Sequence, residues 1–151
     1  AICGLNHTQM EADVRVVDAA GFQAWIDEKS AAPDFAAMAP EERGAFWASA
    51  EGFGCVACHT TDGTPGVGPT WQGLYQRQEQ LTDGSTVTAD DAYIINSIHD
   101  PNAQIVSGFN PNIMPQTYLE QFTAREQEIE AAEPIDLDIA ADIIAYIQTL
   151  Q

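Results

Sequence analysis

The chain has 151 residues, with 23 acidic side chains against 5 basic ones and a formal net charge of −18. Affinity for nucleic acid rests on Lys and Arg neutralising phosphates, so this charge excludes nucleic acid as a partner and disfavours anionic membrane surfaces. A hydrophobic share of 45% suits a globular domain rather than an acidic disordered tail, and no window nears the ~20 apolar residues of a membrane span.

In chain order, the sequence opens on Ala1 without a basic-then-apolar leader and reads as a piece cut from something longer, any export signal lying upstream. Residues 1–10 form a loop with three potential metal ligands, Cys3, His7 and Met10. Residues 13–17 alternate and are β-branched, which predicts a short strand. Phe22, Trp25 and Ile26 recur at helical spacing, predicting a helix over 21–29. Residues 30–40, rich in alanine around Pro33 and ending in Pro40, read as a linker. This divides the chain into segments 1–29, 30–40 and 41–151.

Beyond the linker, Pro40, Glu41 and Glu42 open a helix carrying Phe46 and Trp47 to about Glu51, because proline at the first turn and carboxylates near the positive helix end are favoured. Leu81 to Val87 predicts a hairpin turned by Asp83-Gly84. Thr88 with Asp91 resembles a capping box for a helix that stops before Pro101, and Thr117 with Glu120 opens another to about Glu130. A last helix from near Asp136 carries Ile139, Ile143, Tyr146, Ile147 and Leu150 on one face.

Three cysteines cannot all pair, so their count points to a metal, a cofactor or a free thiol. Cys55-Val56-Ala57-Cys58-His59 is the C-x-x-C-H attachment signature of a c-type haem. Two thiols one turn apart add to the two vinyl groups of a porphyrin edge, and the adjacent imidazole becomes the proximal iron ligand. A thioredoxin-like dithiol is the competing reading; it calls for a preceding strand, whereas the preceding segment here reads as helix.

The sequence Gly68-Pro69-Thr70-Trp71-Gln72-Gly73-Leu74-Tyr75-Gln76-Arg77 follows, and then Met114-Pro115. From about residue 41 to 151 the chain therefore resembles the class I cytochrome c family. The resemblance implies an all-α fold around one covalent haem c, with a small hairpin. It implies that the Pro69 carbonyl accepts the His59 Nδ1 proton, that Met114 supplies the sixth ligand, that Arg77 lies near a haem propionate and that Trp71 packs near the ring. It also implies that the first and last helices of the domain cross, with Phe46 or Trp47 against Tyr146. A core position is the ordinary fate of a methionine, but Met114 sits in an uncharged, proline-flanked loop. His99 is the rival ligand; at a helix end it reads more simply as a residue favoured by the helix dipole.

The opening loop Cys3-x3-His7-x2-Met10 offers soft and borderline donors suited to copper. With the strand and helix after it, it resembles the end of the dinuclear copper (CuA) cupredoxin domain of cytochrome c oxidase subunit II. In that family the loop begins with a further cysteine, and another histidine lies far upstream. Cys3, His7 and Met10 match three of the copper ligands, so the centre is incomplete here, no bound copper is expected in this chain, and Cys3 is expected as a free thiol. The order copper loop, strand, helix, linker and haem domain resembles subunit II of a caa-type cytochrome c oxidase. That resemblance implies one-electron transfer from an external donor, a small cytochrome c or iron–sulfur protein, to CuA. Oxygen would be reduced by the other subunits, at the outer (periplasmic) face of the cytoplasmic membrane, and this chain would carry no catalytic site of its own. The alternatives are a free-standing soluble class I cytochrome c and a haem-based enzyme or sensor.

The charge is uneven. Residues 52–76 contain only Asp62, and 101–119 contain no charged residue, whereas Glu120 to Asp142 holds eight acids and only Arg125. An uncharged face ringed by carboxylates suits brief encounters with a steered basic donor. The acidic stretch Glu120 to Glu133 reads as a solvated face with no functional account.

Overall fold

The computed structural model describes residues 14–30 and 33–151. The chain divides into two compact units, 1–33 and 34–151. In the first, residues 14–18 form no regular structure, which corrects the expected strand: Val14 and Val16 are exposed, and β-branched residues make a strand only where a ladder partner exists. Helix α1 (Ala19–Ser30) follows, its start capped by Asp18 Oδ1, which accepts the Gly21 N–H at 2.8 Å. Phe22 and Trp25 stack on its exposed side with centroids 5.9 Å apart.

The second unit is built from α2 (Pro40–Ala48), strands β1 (Gln78–Gln80) and β2 (Thr86–Thr88), and helices α3 (Asp91–His99), α4 (Tyr118–Glu130) and α5 (Ile139–Thr149). The strands pair antiparallel, Glu79 opposite Val87. The all-α class is thereby corrected: the described residues are mixed, five α-helices with a two-stranded sheet. The cause is local. Gly84 at φ +86° turns the chain, Asp83 Oδ1 holds the Ser85 N–H at 2.9 Å, and the β-branched run Thr86-Val87-Thr88 meets the backbone of 78–80. Leu81 adds a bridge to Val106.

Part of the segment read as a linker belongs to the core. Phe35 is 2% exposed and stacks on Trp47 at 4.5 Å, with Phe46 edge-on at 5.3 Å. Helices α2 and α5 pack closely because Gly44 has no side chain; a Cβ there would collide with the Asp142 carbonyl. Asp142 is the polar pin of this crossing. Its carboxylate accepts Arg43 Nε and Nη2, both at 2.7 Å, and Trp47 Nε1 at 3.2 Å. Trp47 thus meets Asp142, and the ring of Tyr146 meets Trp71 edge-on at 6.4 Å. Ile139, Ile143 and Ile147 form the buried stripe of α5, with Tyr146 and Leu150 at its margin.

Helix α3 is capped by Asp90, whose Oδ1 accepts the Tyr93 N–H at 2.9 Å, and not by Thr88. The acidic stretch gains a structural account. Glu126 Oε1 accepts the Ile139 N–H and Glu130 Oε1 the Leu137 N–H, both at 2.9 Å, while Asp138 caps α5 directly through the Ala141 N–H. Three carboxylates therefore satisfy N–H groups at the α5 start, where the helix leaves donors unpaired and its dipole favours negative charge. Among the described residues, no helix is long and apolar enough to cross a membrane.

Candidate functional site

The Cys55-Val56-Ala57-Cys58-His59 motif begins as a 3₁₀ turn over Cys55–Ala57, entered through Gly54 at φ +71°. The Cys58 and His59 amides both donate to the Cys55 carbonyl, at 3.1 and 2.9 Å, so the two cysteines stand one turn apart. Both are free; Cys55 is partly buried and Cys58 exposed. Burial pushes the Cys55 thiol up to about 11, which keeps it protonated at neutral pH. Buried in this way, Cys55 is not poised as a thiolate nucleophile.

His59 is held from three sides. Its Nδ1 donates to the Pro69 carbonyl at 2.8 Å, its ring stacks on Trp71 with centroids 5.3 Å apart, and Gly68 presses on its face. A Cβ at Gly68 would stand 2.6–3.0 Å from Cε1, Nδ1 and Nε2 of that ring, so only glycine fits. The clamp is braced by Gly68 N–H to Cys58 O at 2.9 Å, Trp71 N–H to Thr60 O at 2.8 Å and the Thr70 hydroxyl to Thr60 O at 2.9 Å. Burial holds the imidazole below its ordinary pKa, opposed by the Pro69 carbonyl. A neutral ring donating through Nδ1 has its free lone pair on Nε2, the form that ligates metals.

His59 and Met114 line the same cleft, together with Cys55 and Cys58; the cleft encloses about 1210 Å³ including its open mouth. Its walls are chiefly apolar, with Leu74, Ile94, Ile98, Phe122, Ile143 and Ile147 contributing. Met114 is half-buried against the hydrophobic core, so it satisfies the packing role of a methionine and still reaches the cleft. One part of the lining is polar: Glu79, Tyr93, Ser97 and Gln104. Ser97 Oγ is buried there beside Tyr93 without completing a hydrogen bond of good geometry.

The remaining sequence candidates fall as follows. Pro69 and Trp71 line the cleft around His59. Arg77 does not line it: Nε bonds Glu79 Oε1 at 2.6 Å, and its other nitrogens donate to Gln72 O at 2.9 Å and Thr70 O at 3.2 Å. Its carboxylate partner Glu79 is the one that lines the cleft. His99 ends α3, half-buried and outside the cleft lining. Cys3, His7 and Met10 lie outside the described residues. Sequence reading missed Gly68, Glu79, Tyr93 and Ser97. Gly68 was legible as the residue before the carbonyl-bearing proline; the other three come together only because β1 and α3 both contribute to the cleft lining.

Among the described residues, no group of three or more His, Cys, Asp or Glu converges to hold a metal ion. One imidazole and one thioether are too few to retain a bare ion, yet they suffice for iron already held in a macrocycle. The chain matches no protein-family model, and no curated protein shows significant similarity to it.

Proposed function

We propose that the cleft holds a haem bound through thioethers from Cys55 and Cys58, and that the chain carries single electrons. The observation that carries this reading is the meeting of four residues in one apolar cleft: the two cysteines of the C-x-x-C-H motif, a histidine oriented by the Pro69 carbonyl, and Met114. The residues fit the group. The apolar walls match a porphyrin face, and Ser97 Oγ, with Tyr93 beside it, offers unspent hydrogen-bonding capacity to its polar edge. When bound, haem supplies a one-electron iron couple. His59 Nε2 and Met114 Sδ would hold the iron, leaving it no open site for substrate, which suits a carrier rather than a catalyst. The hydrogen bond from Nδ1 to Pro69 keeps the imidazole aligned and makes Nε2 more basic.

The order of motifs further supports membership in subunit II of a caa-type oxidase, with electrons passing from an external donor to CuA, completed by residues upstream, at the outer face of the cytoplasmic membrane. In the second unit, the large exposed apolar residues are Val56, Val67, Ile113 and Leu119, all in or beside segments lining the cleft mouth. An apolar mouth within an acidic chain suits brief contact with a basic donor.

A visible spectrum of denatured, reduced protein in pyridine tests the haem: the expected result is the thioether-linked c-type signature, and a colourless preparation with two titratable thiols at Cys55 and Cys58 would overturn it. Loss of the sulfur-to-iron charge-transfer band in Met114→Ala tests the sixth ligand. The steering idea fails if electron-transfer rates with a lysine-rich cytochrome are independent of ionic strength. The oxidase assignment is tested by the upstream coding sequence, where a second copper-ligand cysteine is expected.

A further inference from the structure

The loop that carries Met114 has few ties. Among the described residues, no backbone-to-backbone hydrogen bond links 110–116 to the rest of the chain; the nearest are Phe109 N–H to Val106 O before it and Gln121 N–H to Thr117 O after it. Pro111 and Pro115 have no N–H to give. One hydrogen-bonded connection outward remains. Asn102 Oδ1 accepts the Asn112 N–H at 2.8 Å, and Asn102 Nδ2 donates to Asn112 Oδ1 at 3.2 Å. Asn112 stands at φ +62°, a left-handed conformation that asparagine tolerates better than most side chains, and its Oδ1 also receives Gln116 Nε2 at 3.5 Å.

The other half of this clasp is firmly based. Asn102 sits in the turn closed by Ala103 N–H to Asp100 O at 3.0 Å, directly after α3, and Asn96 on α3 holds Gln104 at 3.3 Å. The following residues are fixed to the sheet edge by Thr82 N–H to Ile105 O and Ser107 N–H to Gln80 O. The segment from α3 to residue 107 is thus anchored at both ends, and the Met114 loop hangs from it through two asparagine side chains.

We propose that Asn102 is the positioning residue for the sixth ligand: its clasp on Asn112 holds Met114 toward the cleft and sets how readily the thioether yields its place to another ligand. This rests on the haem reading above. The asparagine geometry is specific to the task, because one side chain must both accept from a backbone N–H and donate to a side-chain oxygen. Aspartate keeps the first bond and loses the second; alanine loses both.

The test is the affinity of the oxidised holoprotein for imidazole, read with the sulfur-to-iron charge-transfer band, for Asn102→Ala, Asn102→Asp, Asn112→Gly and Met114→Ala. Asn102→Ala is expected to raise imidazole affinity about five- to tenfold, the factor that one or two net hydrogen bonds carry, and to weaken the band. Asn102→Asp should fall between wild type and alanine, as should Asn112→Gly, which keeps the left-handed turn and the backbone donor. The effect of Asn102→Ala should vanish in a Met114→Ala background. Affinities within about twofold of wild type for all three asparagine variants, or an Asn102→Ala effect that persists without Met114, would overturn the proposal. Should Asn102→Ala fail to fold, the aspartate and glycine variants decide by the same measure. The pyridine spectrum keeps the two readings apart: without covalent haem the function fails, whereas haem with Met114 ligation and no asparagine effect sinks the clasp alone.

Discussion

The Glu126 carboxylate accepts the Ile139 backbone N–H at 2.9 Å, thirteen residues along the chain. With Glu130 on the Leu137 N–H it converts an acid-rich helix into a cap for the next one, so part of the negative charge is structural.

The cap yields a stability prediction. Glu126→Ala removes a cap acceptor and should cost about 1 kcal/mol, whereas Glu126→Gln, which keeps an acceptor and loses only the charge, should cost less than half of that. Urea midpoints of the two variants check this; equal losses would show that charge alone mattered.

The Asp142 pin should be harder to disturb. Asp142→Ala leaves the Arg43 guanidinium and the Trp47 N–H without their acceptor in a buried crossing, at a cost of about 3–5 kcal/mol. Replacing the pair together, Arg43→Met with Asp142→Leu, should cost markedly less than the sum of the single changes. Additive losses in the double-mutant cycle would mean that the two side chains do not act as one unit.

Gly68→Ala should act through His59. The added methyl meets the ring at 2.6–3.0 Å, so the imidazole must shift off the Pro69 carbonyl or the loop must move. A loss of about 1–3 kcal/mol is expected from overpacking, together with, on the haem reading proposed above, a changed visible spectrum and reduction potential. A variant with wild-type spectrum and potential would show that the contact leaves the ligand untouched.

The pH dependence follows from the same ring. Burial lowers the His59 pKa in the fold, so near the ordinary value of ~6.5 the unfolded state binds more protons than the folded state. Stability is therefore complete above that value and falls as the pH drops below it. In the chain free of haem, where Nε2 holds no metal, the urea midpoint should decline as the pH falls from 7.5 to 5.5; a flat profile there would contradict a histidine held neutral.

How much of this was legible in sequence depends on the range of the interaction. The C-x-x-C-H spacing, the Pro40 start of α2, the Asp83-Gly84 turn and the end of α3 before Pro101 are all settled within about four residues. The failures had non-local causes. Residues 14–17 carry the composition of a strand, but strand structure requires a partner. Phe35 reads as linker, yet it fills the space beside Trp47.

By itself, then, the sequence determined which chemistry the chain can carry: two thiols one turn apart, an adjacent imidazole, a lone thioether in a neutral loop and a large negative charge. Only the tertiary structure decided that Met114 shares a cleft with His59, that Gly68 clamps the ring, and that Asp142 joins Arg43 across 99 positions. The physical reason is that capping and turn rules act over a few residues, whereas burial, ion pairing and strand pairing depend on which distant segments the collapsed chain brings together.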